Sequence, residues 1–155
     1  MKGVYLLLLR ASKNFSKDIG SLGRIDFKKG YYAYVGSAQT SLFPRLERHF
    51  ARRKKLHWHI DYLTSSKNIY IKRAIYSSAN TKEFECRLSK ELAELTFSSS
   101  IRSFGSSDCK HACESHLFLL ESNESQLMHS IAQILRKLDL KPITYRPRAL
   151  HKDIH

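Results

Sequence analysis

The chain has 155 residues, 42% of them hydrophobic and none in a low-complexity tract, which is enough for one domain with a buried core. Its 27 Lys and Arg against 14 Asp and Glu give a net charge of +13, and the field of so basic a protein favours nucleic acid or another polyanion. The longest apolar run, Val4 to Leu9, is strand-sized and excludes a membrane-spanning helix; Met1-Lys2-Gly3 enters it without signal-peptide features, so a cytoplasmic location is expected.

Lys2 to Arg10 is nearly continuous in apolar residues and contains Tyr5, the pattern of a central strand covered on both faces. Ala11 to Gly23 reads as a loop. Arg24 to Phe27 is expected to turn through Lys28-Lys29-Gly30 into Tyr31 to Val35 as a hairpin, with Tyr32 and Tyr34 on one face and Gly36 ending the strand. A helix from Leu42 to about Arg53 follows, capped by Thr40 or Ser41, with Pro44 tolerated in its first turn. Leu42, Leu46 and Phe50 recur at four-residue steps as its buried stripe. Arg45, Arg48, His49 and Arg52 form the neighbouring stripe, whose cations call for an anionic partner.

Lys54 to Ser66 contains Trp58 between His57 and His59 and a short helix around Asp61. In an extended segment both imidazoles face one way and the indole the other. Asn68 to Ser77 is a strand, and Asn80 opens a helix with Glu83 at the reciprocal capping position. Phe84, Leu88, Leu92 and Leu95 are its core face, and Glu85 lies at the margin of that stripe without a cation four residues on. Beyond a serine-rich stretch, Leu117 to Leu120 is a strand. Glu124 to Leu138 is an amphipathic helix capped by Asn123 and Gln126, with Leu127, Ile131, Leu135 and Leu138 inward. Lys141 to His155 reads as a basic, frayed tail.

The three cysteines, an odd number, argue against a disulfide framework and leave each free, metal-bound or packed. Cys109, Cys113 and His116, with Cys86 as a further donor, have the ligand types of a zinc site, but Cys-x3-Cys-x2-His leaves the fourth ligand unsettled.

Gly3-Val4-Tyr5, Tyr34-Val35-Gly36, an arginine nine residues after Gly36 and a lone helical glutamate downstream together resemble the GIY-YIG nuclease family, in the family's order. YVGSA from Tyr34 and RLERHF from Arg45 are similar to the catalytic half of phage homing endonucleases. The resemblance covers about Gly3 to Leu95; KLHWHIDYL, GSSDC and SHLF further resemble a stand-alone prokaryotic subgroup, the Uri type. Departures are a longer connection between Tyr5 and Tyr34 and a segment after Ser98 without counterpart in the minimal domain. The expected architecture is α/β (α+β): residues 1–97 form a small mixed or antiparallel sheet flanked by helices, and 98–155 a strand-helix extension packed on the same domain.

The resemblance implies a Mg²⁺- or Mn²⁺-dependent endonuclease acting on nucleic acid, with DNA the favoured substrate and RNA the open alternative, and with Tyr5, Tyr34, Arg45, His49 and Glu85 as the catalytic set. In it Glu85 holds the metal, Tyr5 activates water with Tyr34 as its hydrogen-bonded neighbour, and Arg45 forks onto the scissile phosphate. Arg48, Arg52, Arg53, Lys54 and His57 are the expected nucleic-acid contacts. One physical condition attaches to this scheme. A phenol of pKa about 10 has to drop roughly three units, or about 4 kcal/mol, to act as a base at neutral pH. The rival expectation from charge alone is a catalytically inactive nucleic-acid-binding module.

Overall fold

The computed structural model describes residues 1–79, 81–106 and 113–148. Its centre is a six-stranded sheet of order β6-β7-β4-β1-β5-β8, formed by β1 (Gly3–Ala11), β4 (Gly30–Ala38), β5 (Ile69–Ser77), β6 (Ser98–Ser100), β7 (Leu117–Leu120) and β8 (Ile143–Thr144). Every pairing is antiparallel. The α+β architecture is thus as the sequence implies, and the sheet is wholly antiparallel. Strand β1 lies between β4 and β5 and is buried on both sides, which explains why its apolar run does not alternate.

The period-two alternation of β1 sorts its side chains into two cores. Tyr5, Leu7 and Leu9 join Tyr32 and Tyr34 beneath α1 (Leu42–Phe50) and α2 (His59–Thr64). Val4, Leu6 and Leu8 join Leu88 and Leu92 of α3 (Thr81–Ala93) and Leu127, Ile131 and Leu135 of α4 (Glu124–Lys137) on the other face. Asn123 caps α4 by accepting from the Gln126 amide at 2.8 Å, as expected. Among the described residues no helix is long and apolar enough to cross a membrane.

Four expectations are corrected. The stretch read as a loop contains β2 (Phe15–Asp18), which takes β3 (Arg24–Phe27) as its partner in a separate two-stranded sheet, so β3 does not form a hairpin with β4. Phe15 stacking on Phe27 at 5.2 Å supplies the cross-strand contact that a polar sequence concealed. Strand β4 does not end at Gly36 but continues to Ala38, because Gly36 pairs with Tyr5 and Ala38 with Gly3. Helix α1 stops at Phe50, and Ser41 at its start makes no side-chain capping bond. The Asn80 cap lies outside the described residues. Finally, the tail is docked as far as Arg148: β8 pairs with β5, Tyr145 stacks on Phe43 and donates to Glu47, and the Arg148 amide reaches the same carboxylate at 3.2 Å. Residues beyond 148 lie outside the described residues.

The cross-strand pair of Tyr5 and Gly36 fixes the site. A methyl group at position 36 would lie 2.4 Å from Cζ and Oη of Tyr5, so the phenol ring rests directly on the Gly36 backbone. Gly36→Ala should therefore displace the ring and lower stability by about 1–3 kcal/mol, the usual scale for overpacking. Urea unfolding of the variant checks this; an unchanged midpoint would mean that the ring is not seated there.

Candidate active site

Tyr5 and Tyr34 project from neighbouring strands onto the α1 face with ring centroids 6.5 Å apart. His49, from the last turn of α1, lies 5.3 Å from the Tyr5 ring and 6.1 Å from the Tyr34 ring and is only 1% exposed. Its Nε2 is 2.6 Å from the Tyr5 hydroxyl. Helical spacing groups His49 with the polar stripe, but the structure turns it inward, and it is His49, not Tyr34, that pairs with the Tyr5 hydroxyl.

Protonation follows from the surroundings. Burial above all, then the charges of Lys54, Arg45 and Arg48 against that of Asp61, pull the His49 pKa down to about 3. A neutral imidazole accepts at Nε2, so Tyr5 donates. The remaining ring nitrogen, Nδ1, is buried without a partner among the described residues. Tyr5 itself is raised well above the usual phenol range, chiefly by burial and then by Tyr34, with only Arg45 pulling the other way. The protein alone therefore does not create the phenolate that the resemblance requires.

Glu85 reaches the same cleft from the other layer. Helix α3 packs on the opposite core but brings Glu85 to the end of β4, where Oε2 accepts from the Ser37 hydroxyl. Oε1 lies 3.0 Å from Nδ1 of His116, a buried residue just before β7. Burial pushes the Glu85 pKa up, but hydrogen bonds from His116 and Ser37, with the charges of His116 and Lys82, outweigh it and hold the carboxyl below its ordinary value. Each carboxylate oxygen keeps a second lone pair, and the side chain is 20% exposed in the cleft. A single hard-oxygen donor in a polar, open cleft fits a divalent cation such as Mg²⁺ that keeps most of its water. Glu85 is the residue that would hold it.

Arg45 and Arg48 are positioned by groups that periodicity does not reveal. Arg45 donates to the Ser37 carbonyl and lies over the Trp58 ring at 4.7 Å. Arg48 lies over the same ring at 5.2 Å and pairs at 2.9 Å with Asp61, which is fully buried. Asp61 also accepts the amides of His57 at 2.9 Å and Trp58 at 2.8 Å. Burial raises the Asp61 pKa, but these hydrogen bonds, led by that of Trp58, bring it below its ordinary value. The indole lines the cleft, His59 accepts from the Gly105 amide at 2.9 Å, and His57 is exposed.

Tyr5, Tyr34, Arg45, His49 and Glu85 thus line one cleft of about 400 Å³, together with Ser37, Trp58, Lys82, Gly105 and His116. Of the expected nucleic-acid contacts, Arg48 borders the cleft across the Trp58 ring, whereas Arg52, Arg53, Lys54 and His57 do not line it. Arg52 donates to the Ser66 carbonyl at 2.6 Å, Arg53 is exposed, and Lys54 is spent on the C-terminus of α1, donating to the Arg48 and His49 carbonyls and to Thr64. Burial lowers the Lys54 pKa to about 8. Of the zinc-type residues, Cys86, Cys113 and His116 gather within 4.8 Å of one another, and Cys109 lies outside the described residues.

The buried neutral His49 has a measurable consequence. Its pKa falls from an ordinary 6.5 to about 3 on folding, so the unfolded chain binds a proton that the folded one does not. The associated stability is complete above about pH 6.5 and is lost as pH falls, at up to about 1.4 kcal/mol per pH unit. Asp61 and Glu85, both held low, add their losses only below about pH 4. Urea unfolding between pH 7 and 5 should show a fall of about 2 kcal/mol in the wild type that His49→Gln largely removes. An equal slope in both proteins would mean that His49 is not held neutral.

The family model of the domain of unknown function DUF123 matches residues 4–140, from the second residue of β1 through α4. No protein of curated function and no solved structure is similar to the chain. With most of its length matched, including every candidate site residue, the chain belongs to the DUF123 family.

Proposed function

We propose that this protein is a Mg²⁺-dependent endonuclease of the GIY-YIG kind that hydrolyses phosphodiester bonds of nucleic acid in the cytoplasm, DNA in preference to RNA. The observation that carries this reading is the convergence of Tyr5, Tyr34, Arg45, His49 and Glu85, from four different elements, on one cleft of a chain with a net charge of +13. An inactive nucleic-acid-binding module accounts for the charge. It gives no reason for a paired phenol and imidazole to be buried beside a lone carboxylate.

The scissile phosphate lies against Arg45, whose guanidinium is oriented by the Ser37 carbonyl and the Trp58 ring and forks onto two phosphoryl oxygens. Glu85 holds the divalent cation, which when bound supplies neutralisation of phosphoryl and leaving-group charge. Tyr5 lies between water and His49. As water attacks phosphorus, its proton passes to the Tyr5 oxygen while the Tyr5 proton passes to His49 Nε2. This relay meets the condition set by the raised pKa of Tyr5, because the phenol never stands free as an anion. The bound phosphate also offsets the Arg45 and Arg48 charges that keep His49 a weak base.

Two substitutions test these roles in a panel of duplex, branched and single-stranded substrates. Glu85→Gln should abolish Mg²⁺-dependent cleavage while leaving nucleic-acid affinity equal or slightly higher, since a repulsive charge goes and no phosphate contact is lost. Substantial residual cleavage would remove Glu85 as the metal-binding residue. Arg45→Lys keeps the charge but loses the fork, so cleavage should slow by about tenfold or more with the salt dependence of binding little changed. Cleavage at the wild-type rate would reduce Arg45 to a source of field.

A further inference from the structure

Cys86 follows Glu85 directly on α3, and its side chain is buried. Cys113 and His116 approach it from the segment before β7. The Sγ atoms of the two cysteines and a ring nitrogen of His116 all lie within 4.8 Å of one another. Two donors on a tetrahedral zinc, each about 2.3 Å from the metal, are roughly 3.8 Å apart, so small side-chain shifts would close the triangle. Its position is also well fixed. The His116 carbonyl accepts from the Val35 amide at 2.9 Å, and the His116 amide donates to the Phe104 carbonyl at 2.9 Å, so backbone holds this residue from two sides.

A second, independent observation points to a metal. The Nδ1 of His116 lies 3.0 Å from a carboxylate oxygen of Glu85. Metal-ligating histidines regularly donate one ring N–H to a carboxylate, which fixes the tautomer and makes the other nitrogen a better ligand. In that tautomer Nδ1 carries the hydrogen and Nε2 presents its lone pair.

We infer that Cys86, Cys113 and His116 bind a zinc ion, and that His116 links this ion to Glu85, so that a structural metal orients the carboxylate facing the candidate active site. Binding converts two thiols to thiolates and releases their two protons to solvent. His116 stays neutral, with Nε2 on the metal and Nδ1–H on Glu85. The fourth tetrahedral position is open to solvent or a further donor. The zinc site stands on its own geometry; only its significance for catalysis rests on the nuclease reading of Glu85.

The full-length protein, purified without metal-affinity steps or added zinc, should carry about one equivalent of zinc by elemental analysis. Replacement by Co²⁺ should give the thiolate-to-metal charge-transfer bands and visible absorption of a tetrahedral site. Cys113→Ser, at a half-buried position, should lose most of the zinc; because the cobalt spectrum uses unaltered protein, a folding failure in the variant does not decide the matter. Chelator competition should show zinc held about tenfold more weakly by Glu85→Gln, the lower end of what losing a metal-ligating histidine's partner does.

Absence of stoichiometric zinc, or a cobalt adduct without thiolate bands, would overturn the site. So would a zinc-free protein whose Cys86 and Cys113 resist alkylation until reduced. Equal zinc affinity in wild type and Glu85→Gln would overturn the link through His116. None of these outcomes bears on whether the protein cuts nucleic acid, which the cleavage panel decides separately.

Discussion

The contact on which the rest of the site depends is the seating of the Tyr5 ring over Gly36, with its hydroxyl on His49. It joins three elements through one side chain. Strand β1 supplies the ring, β4 supplies a position with no Cβ, and α1 supplies the acceptor. Any side chain at 36 would intrude on the ring, and the ladder between β1 and β4 leaves no slack, since a one-residue slip would turn Tyr5 into the other core. The hydroxyl is thereby buried beside an imidazole that its surroundings keep neutral. In water a phenol and an imidazole would exchange protons with solvent. Here they have each other.

Around that pair the basic character of the chain is organised by a few buried acceptors. Asp61 is the principal one, holding the backbone of His57 and Trp58 and the guanidinium of Arg48. Arg45 and Arg48 then share the face of Trp58, whose π-cloud partly offsets two neighbouring positive charges. Removing Asp61 would leave a half-buried guanidinium and two amides without their acceptor, a change with effects on both stability and cleft shape. Lys54 plays a comparable part at the C-terminus of α1, where it satisfies carbonyls that helix geometry leaves open. Charge counted from composition therefore overstates what is available to a polyanion, because several of these cations are engaged within the fold.

The sequence made the framework legible where a single physical signal dominates. The unbroken apolar run of β1, the four-residue steps of α1 and the Asn123 cap of α4 each lead directly to the element observed. Elements that depend on contacts distant in sequence were not legible: β2 is polar and is held by Phe27 stacking on Phe15, and β8 needs β5 as its template. The same division runs through the site. Tyr5, Tyr34, Arg45 and Glu85 stand out by motif. The inward turn of His49 follows from the tertiary position of α1, which helical spacing does not fix. Trp58 as the platform for Arg45, and Ser37 and His116 as partners of Glu85, come from segments with no periodic pattern; the adjacency of Glu85 and Cys86 was the one local sign that the zinc-type residues border the cleft.

The central claim is that Tyr5 relays a proton from water to His49, and the most direct measurement is single-turnover cleavage by Tyr5→Phe. Phenylalanine keeps the ring over Gly36, so the fold should survive with about 1 kcal/mol lost for the missing hydroxyl bond to His49. Cleavage should fall by about two orders of magnitude or more, the scale for loss of a general base, with nucleic-acid affinity unchanged. A folded Tyr5→Phe protein that cleaves at close to the wild-type rate would contradict the account and leave Tyr5 a packing residue.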